Sequence, residues 1–305
     1  MRIVASACDF PAGLPEQENI ELNSGFRCVR NKDKSNRFIA DWAYQVCKRM
    51  LDANKITPEE IGLIISISIS PDNLVQHQSV AAPRLCHPLQ RALGANRAFV
   101  FDLLDSDWAT AIQVAKGFAL SQDYKYALIV RAEKMHTSIL HDEENGFDVP
   151  DGVGVLLLSP QEASHKPVSY TYVADSEHAS LHFLERHDML STGYKARFEW
   201  PFKENTSTEL NRTGREIIDQ HTEHGHYPDF IVAESWFPKH HESLGDVSDK
   251  VISQSAEQQA LGPFTIPYFI REINRLQEAG NSPKTVLALS FNPFLMRYSA
   301  VSLSI

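Results

Sequence analysis

Apolar positions recur along the chain at two periods, and the switches between them mark out a mixed α/β protein. Residues 3–8 form a short apolar run that predicts a first strand. After a loop with Pro11, Gly13 and Pro15, the positions Phe38, Ile39, Trp42, Ala43, Val46, Cys47, Met50 and Leu51 recur at helical spacing. That spacing predicts an amphipathic helix over Ser35–Asn54, with the Cys47 thiol on its buried face. Thr57-Pro58-Glu59-Glu60 starts a helical turn, with Thr57 as cap and Pro58 at the first helical position. Leu63–Ser70 (LIISISIS) reads as a strand, and Pro71–Gly94 as a loop and a helix interrupted by Pro83 and Pro88.

The stretch Ala98–Ala111 (AFVFDLLDSDWATA) organises the rest. Ala98 to Phe101 reads as a buried strand, two acidic turn residues and a serine follow, Asp105, Ser106 and Asp107, and a helix begins with Trp108, Ile112, Ala115 and Ala119 on one face. A strand that stops at a helix N-terminus presents free N–H groups and a favourable dipole to an anion, and many folds place a nucleophile there. Here the first turn offers Ser106 and Asp107 and no cysteine. Tyr126–Arg131 reads as a central strand, His136–Pro150 as a polar insertion, and Asp151-Gly152-Val153-Gly154 as a turn and site of close approach before the strand Val155–Leu158.

The second part repeats this order. Asp229–Ala233, Thr285–Ser290 and Ser299–Ser304 read as strands, and Pro263–Leu276 as a helix whose regular part is delayed to Pro267. Leu63 answers to Phe230 at an offset of 167, Tyr126 to Thr285 at 159, and Val153 to Tyr298 at 145. The shared order predicts a duplication into two α/β halves, 1–165 and 166–305. Residues 160–225 show only weak periodicity.

Composition narrows the function. The 305 residues are 43% hydrophobic, enough for a large core, and the net charge is −10. No Lys/Arg-rich tract offers a nucleic-acid or anionic-membrane surface. Cys8, Cys28, Cys47 and Cys86 are widely spaced without a CxxC, the pattern of reduced intracellular thiols. Asp9 ends the N-terminal apolar stretch before it reaches signal length, and no run approaches the roughly 18 residues of a membrane span. These features predict a cytoplasmic protein. His221, His224 and His226 have ligand-like spacing, and His240-His241 adjoin Glu242, but no cysteine lies near and a polar loop around Gly225 is expected. Nothing calls for a metal or a cofactor. Cys86, beside His87, reads as a buried thiol, since adjacent helical side chains diverge.

The repeat, FDL at Phe101–Leu103 before a helix, and DGVG at Asp151–Gly154 together resemble the thiolase fold, and more narrowly β-ketoacyl-acyl-carrier-protein synthase III. ITPEEIGLII (Ile56–Ile65) and KYALIVRAEK (Lys125–Lys134) fit the same family. The resemblance implies a five-layer α-β-α-β-α arrangement. The strings Ser70–Ser106, LGPF at Leu261–Phe264 and SFNPF at Ser290–Phe294 resemble the B subunits of two-component 2-alkyl-4-quinolone synthases, which pair with a catalytic homologue.

Carried over by that resemblance, the nucleophile position is Asp107, the histidine position Glu234, the asparagine position falls near Ala260, and the oxyanion-loop position is Pro293. An acyl-aspartate would be a reactive mixed anhydride, and an aspartate at this place reads first as a helix cap. Glutamate does not supply the neutral imidazole donor, and proline has no N–H. The resemblance therefore implies a non-catalytic subunit. Phe99, Val100 and Phe101 would pair with a catalytic partner holding the acyl substrate, and Val75, Gln76 and His77 would reach toward that partner's site. Two other readings stay open: Asp107 and Glu234 as an acid/base pair for hydrolysis or decarboxylation, and a homodimeric acyl-binding scaffold.

Overall fold

In the computed structural model, the described residues are 1–11, 17–21, 27–29, 33, 35, 37–68, 85–103, 106–134, 150–160, 169–173, 184–185, 195–196, 206–223, 227–234, 261–277, 284–292 and 297–305. Their strands are β1 (Arg2–Asp9), β2 (Gln17–Glu21), β3 (Arg27–Val29), β4 (Ile61–Ser66), β5 (Phe99–Asp102), β6 (Tyr126–Glu133), β7 (Gly152–Ser159), β8 (Ser169–Val173), β9 (Leu184–Glu185), β10 (Lys195–Ala196), β11 (Phe230–Ala233), β12 (Thr285–Asn292) and β13 (Arg297–Ser304). The helices are α1 (Ile39–Ala53), α2 (Cys86–Leu93), α3 (Trp108–Ala119), α4 (Thr206–Glu223) and α5 (Thr265–Gln277).

The continuous apolar runs form the sheet's interior because both faces are covered by helices. Strands pair in the order β5-β4-β6-β7-β1, and a second group pairs as β11-β12-β13-β8. The two meet at a single bridge, Arg2 to Ser304. The pairings match in sense. β4–β6 and β11–β12 are parallel, whereas β6–β7, β7–β1, β12–β13 and β13–β8 are antiparallel. Leu63 and Phe230, Tyr126 and Thr285, and Val153 and Tyr298 thus lie on strands with matching neighbours.

Alternation along the strands builds the layers. Ile64, Leu128, Val130, Val155 and Leu157 pack with Trp42 and Val46 of α1 and Leu89 of α2. Leu63, Ile65, Ile129, Leu156 and Leu158 face the opposite way, toward Ile112 and Ala115 of α3 and Ile266 and Ile270 of α5. The same two helices also cover Val286, Ala288, Val301 and Leu303 of the second group. On the far side, His221 of α4 meets Ser302 of β13 at 2.8 Å.

Several sequence expectations are corrected. The first helix starts at Ile39 rather than Ser35, because the Ser35 hydroxyl donates to Asp33 at 2.9 Å and holds the chain outside the helix. Pro88 and Pro267 do not interrupt or delay α2 and α5; each is the third helical residue, where the N–H would have no intrahelical acceptor. α2 ends where Gly94 adopts φ 78°, the left-handed C′ conformation. Gly152 and Gly154 are strand residues, not a turn. A Cβ on Gly154 would lie 2.8 Å from Pro267, so the glycine lets α5 approach β7. His221 is not in a polar loop; it is fully buried near the end of α4, an 18-residue helix the weak periodicity of 160–225 did not reveal. His224, His226, His240 and His241 lie outside the described residues. The strand at Phe99 is not buried: β5 is the sheet's edge, and Phe99 is 52% exposed. No helix among the described residues is long and apolar enough to cross a membrane.

Candidate functional site

The strand β5 delivers the chain to the N-terminus of α3, and Asp107 is the residue that closes it. Its backbone is extended, and its carboxylate is fully buried. Oδ1 accepts the Thr110 N–H at 2.8 Å, and Oδ2 accepts the Thr110 hydroxyl at 3.0 Å. The Ser299 hydroxyl, from β13, donates to Oδ2 at 3.5 Å. This is an N-cap reinforced from a second element.

The helix N-terminus is occupied by protein groups. The Ala109 N–H donates to the Ser290 hydroxyl at 3.2 Å, and Thr110 gives its N–H to Asp107. The Trp108 indole, fully buried, donates to the Pro263 carbonyl at 2.7 Å. The donors of Ala109 and Thr110, which a ligand anion would use, are thus engaged. Ser106, just outside the helix, is 8% exposed.

Glu234 follows the last residue of β11. Its backbone N–H donates to the Leu289 carbonyl at 2.9 Å, and its Oε2 accepts the Phe291 N–H, also at 2.9 Å. On β12 and β13, Ser290 pairs with Ser299 and Phe291 with Tyr298. Asp107 and Glu234 therefore touch adjacent rungs of one hairpin. The Phe291 and Tyr298 rings meet at 4.8 Å between centroids, tilted by 37°. Burial pushes the Tyr298 hydroxyl well above its ordinary pKa, and the Glu234 charge pushes it further.

Two expected positions, Ala260 and Pro293, lie outside the described residues, as do Val75, Gln76 and His77. Ser290, Ser299 and the Trp108 indole were not singled out from sequence. The available signal was the serines that interrupt the apolar positions of TVLALS and YSAVSLS, Ser290 in the first and Ser299, Ser302 and Ser304 in the second.

Solved structures resemble the whole chain. The β-ketoacyl-acyl-carrier-protein synthase III of Thermus thermophilus superposes with a TM-score of 0.77 at 16% identity, covering 100% of this chain and 99% of that one. The Aquifex aeolicus 3-oxoacyl-acyl-carrier-protein synthase III superposes at 0.71 with 18% identity and coverage of 100% and 99%. The chain has a synthase III-like thiolase fold. Its sequence is also similar to the 2-heptyl-4(1H)-quinolone synthase subunit PqsB of Pseudomonas aeruginosa, 43% identical over 113 residues, 37% of this chain and 40% of that protein. Synthase III of Streptococcus pneumoniae is 27% identical over 185 residues, 59% of this chain and 52% of that enzyme. The matches thus span about half or less of these curated relatives. No protein-family model matches the chain.

Within this synthase III-like fold, the described thiols are not built as nucleophiles. Burial pushes Cys8 up to about 12 and pushes Cys47 further above the ordinary thiol range. Burial also raises Cys86, and the Asp102 carboxylate beside it adds to the rise. Each is held as the thiol at neutral pH, the unreactive form. Cys86 opens α2, yet Asp102 Oδ1 accepts the Leu85 and Cys86 N–H groups at 3.2 and 3.1 Å, so the helix end is capped from β5.

Proposed function

We propose that this chain is a non-catalytic, synthase III-like subunit that pairs with a Cys-bearing homologue in the synthesis of a 2-alkyl-4-quinolone. The observation that carries the reading is Asp107. It stands where the resemblance places the nucleophile, and its carboxylate is spent on Thr110 and Ser299. A carboxylate in that role stabilises a helix rather than attacking a thioester. Glu234, at the histidine position, is likewise engaged with a backbone N–H. The similarity to PqsB supports the product class. In this reading the chain is divided into two halves, 1–165 and 166–305, and acts in the cytoplasm.

The partner's place is the outer edge of β5, which among the described residues pairs with β4 alone. Phe99 is exposed, and its ring meets Phe118 at 5.0 Å, as Phe101 does at 5.7 Å. A sheet edge carrying exposed aromatic surface fits pairing with another chain and is a liability without it. The partner holds the fatty acyl group and condenses it, while this chain completes the fold of the pair and shapes the pocket through 75–77. The test is to express the chain with and without a synthase III homologue carrying cysteine, histidine and asparagine, and to assay alkylquinolone formation. The expected result is product only from the pair. Full activity from the homologue alone contradicts the proposal.

A further inference from the structure

A groove of about 530 Å³ opens where β1 passes the later turns of α5. It is remote from Asp107. β1 runs parallel to β6, since both are antiparallel to β7, and Arg2 lies opposite Ser159 beside the start of β6. α3, by contrast, begins beyond the end of β5.

The lining is rich in donors. Arg2, Asn54, Arg271, Asn274 and Arg275 supply it, and no acidic side chain is among the lining residues. Arg271, Asn274 and Arg275, at i, i+3 and i+4, share one face of α5. One carboxylate serves both arginines: Glu272 lies 3.0 Å from Arg271 and 3.2 Å from Arg275. The exposed Arg2 guanidinium and the Asn274 amide have no side-chain partner among the described residues. The dipole of α5 favours one cation at its C-terminal end, which accounts for Arg275. It does not account for Arg2, which a different element brings to the same groove.

We propose that this groove binds a phosphate monoester. Arg271 is engaged by Glu272 and by the Cys8 carbonyl at 3.4 Å, and Ile305 adds its terminal carboxylate to the lining; three guanidinium groups against two carboxylates leave one positive charge in excess, centred on Arg2 and Arg275, in a chain whose net charge is −10. Guanidinium forks match phosphate oxygens in charge and geometry. The Asn274 amide adds a donor, and the volume leaves room for an organic group beside the phosphate. The proposal is independent of the subunit reading above.

The test is thermal unfolding of the full chain with adenosine monophosphate or inorganic phosphate, against sodium chloride at matched ionic strength. A ligand that binds only the folded state raises the midpoint saturably. The expected result is a saturable rise with the nucleotide, a weaker one with inorganic phosphate, and at least a tenfold loss of nucleotide affinity in the double variant Arg2→Gln/Arg275→Gln. Both side chains are exposed, so the unliganded variant should unfold near the parent midpoint; the single variant Arg275→Gln gives the same comparison if it does not. No saturable rise, a rise undiminished in the variants, or inorganic phosphate binding as tightly as the nucleotide would overturn the proposal.

Discussion

The Glu234 carboxylate continues a β-ladder that its own strand has left. Ala233 is the last residue of β11 paired to β12, and the next inward N–H on β12, that of Phe291, is taken by Glu234 Oε2 at 2.9 Å. Replacing it with alanine leaves a buried N–H without that acceptor, at a cost of about 1–3 kcal/mol. Glu234→Gln keeps an amide oxygen there and should cost much less. Urea unfolding of the two variants checks the difference. In the assembled complex, Glu234→Gln should leave the product-forming rate unchanged. A lost rate at retained stability would instead favour an acid/base role.

Asp107 makes a parallel prediction at the start of α3. Asp107→Ala removes the cap on Thr110 and should cost about 0.5–2 kcal/mol. Asp107→Asn retains a capping oxygen and should stay near the parent. Neither should change the turnover of complex that remains folded, measured per mole of assembled pair.

At the edge strand, Phe99→Lys should separate association from folding. Phe99 is already 52% exposed, so the unfolding midpoint of the chain alone should change little. A charged residue in the proposed apolar interface should shift the pair toward free subunits on size-exclusion chromatography.

Acid stability should depend on Asp33. Burial alone would raise its pKa, but hydrogen bonds from Arg37 and Ser35 and the charge of Lys134 outweigh that and hold it below its ordinary 3.8. A carboxyl with a depressed folded pKa contributes stability above its unfolded value and loses it as pH falls through the folded one. The urea midpoint of Asp33→Asn should therefore lie below that of the parent at pH 7. The gap should narrow as the pH drops below about 4.

What the sequence revealed follows from how each signal arises. The strands of the interior were legible because burial on both faces leaves a continuous apolar run, as in Tyr126–Val130 of β6. α1 was legible from its apolar stripe but its start was not, because the contact that holds Ser35 to Asp33 leaves no mark on the apolar spacing. α4 was hidden by polar residues along Thr206–Glu223, whose buried face includes His221 and Thr213 rather than an unbroken apolar stripe. Asp107 was recognisable as a cap from its place before Trp108. Its second contact, with Ser299, joins residues 192 apart, and no local pattern encodes it. The engagement of Glu234 with Phe291, 57 residues on, is likewise tertiary.

The most direct measurement is intact-protein mass spectrometry of the purified pair, quenched during turnover with an acyl thioester. The account predicts an acyl adduct on the Cys-bearing partner and an unmodified mass for this chain. An acyl adduct on this chain, forming and decaying at the rate of product release, would contradict it.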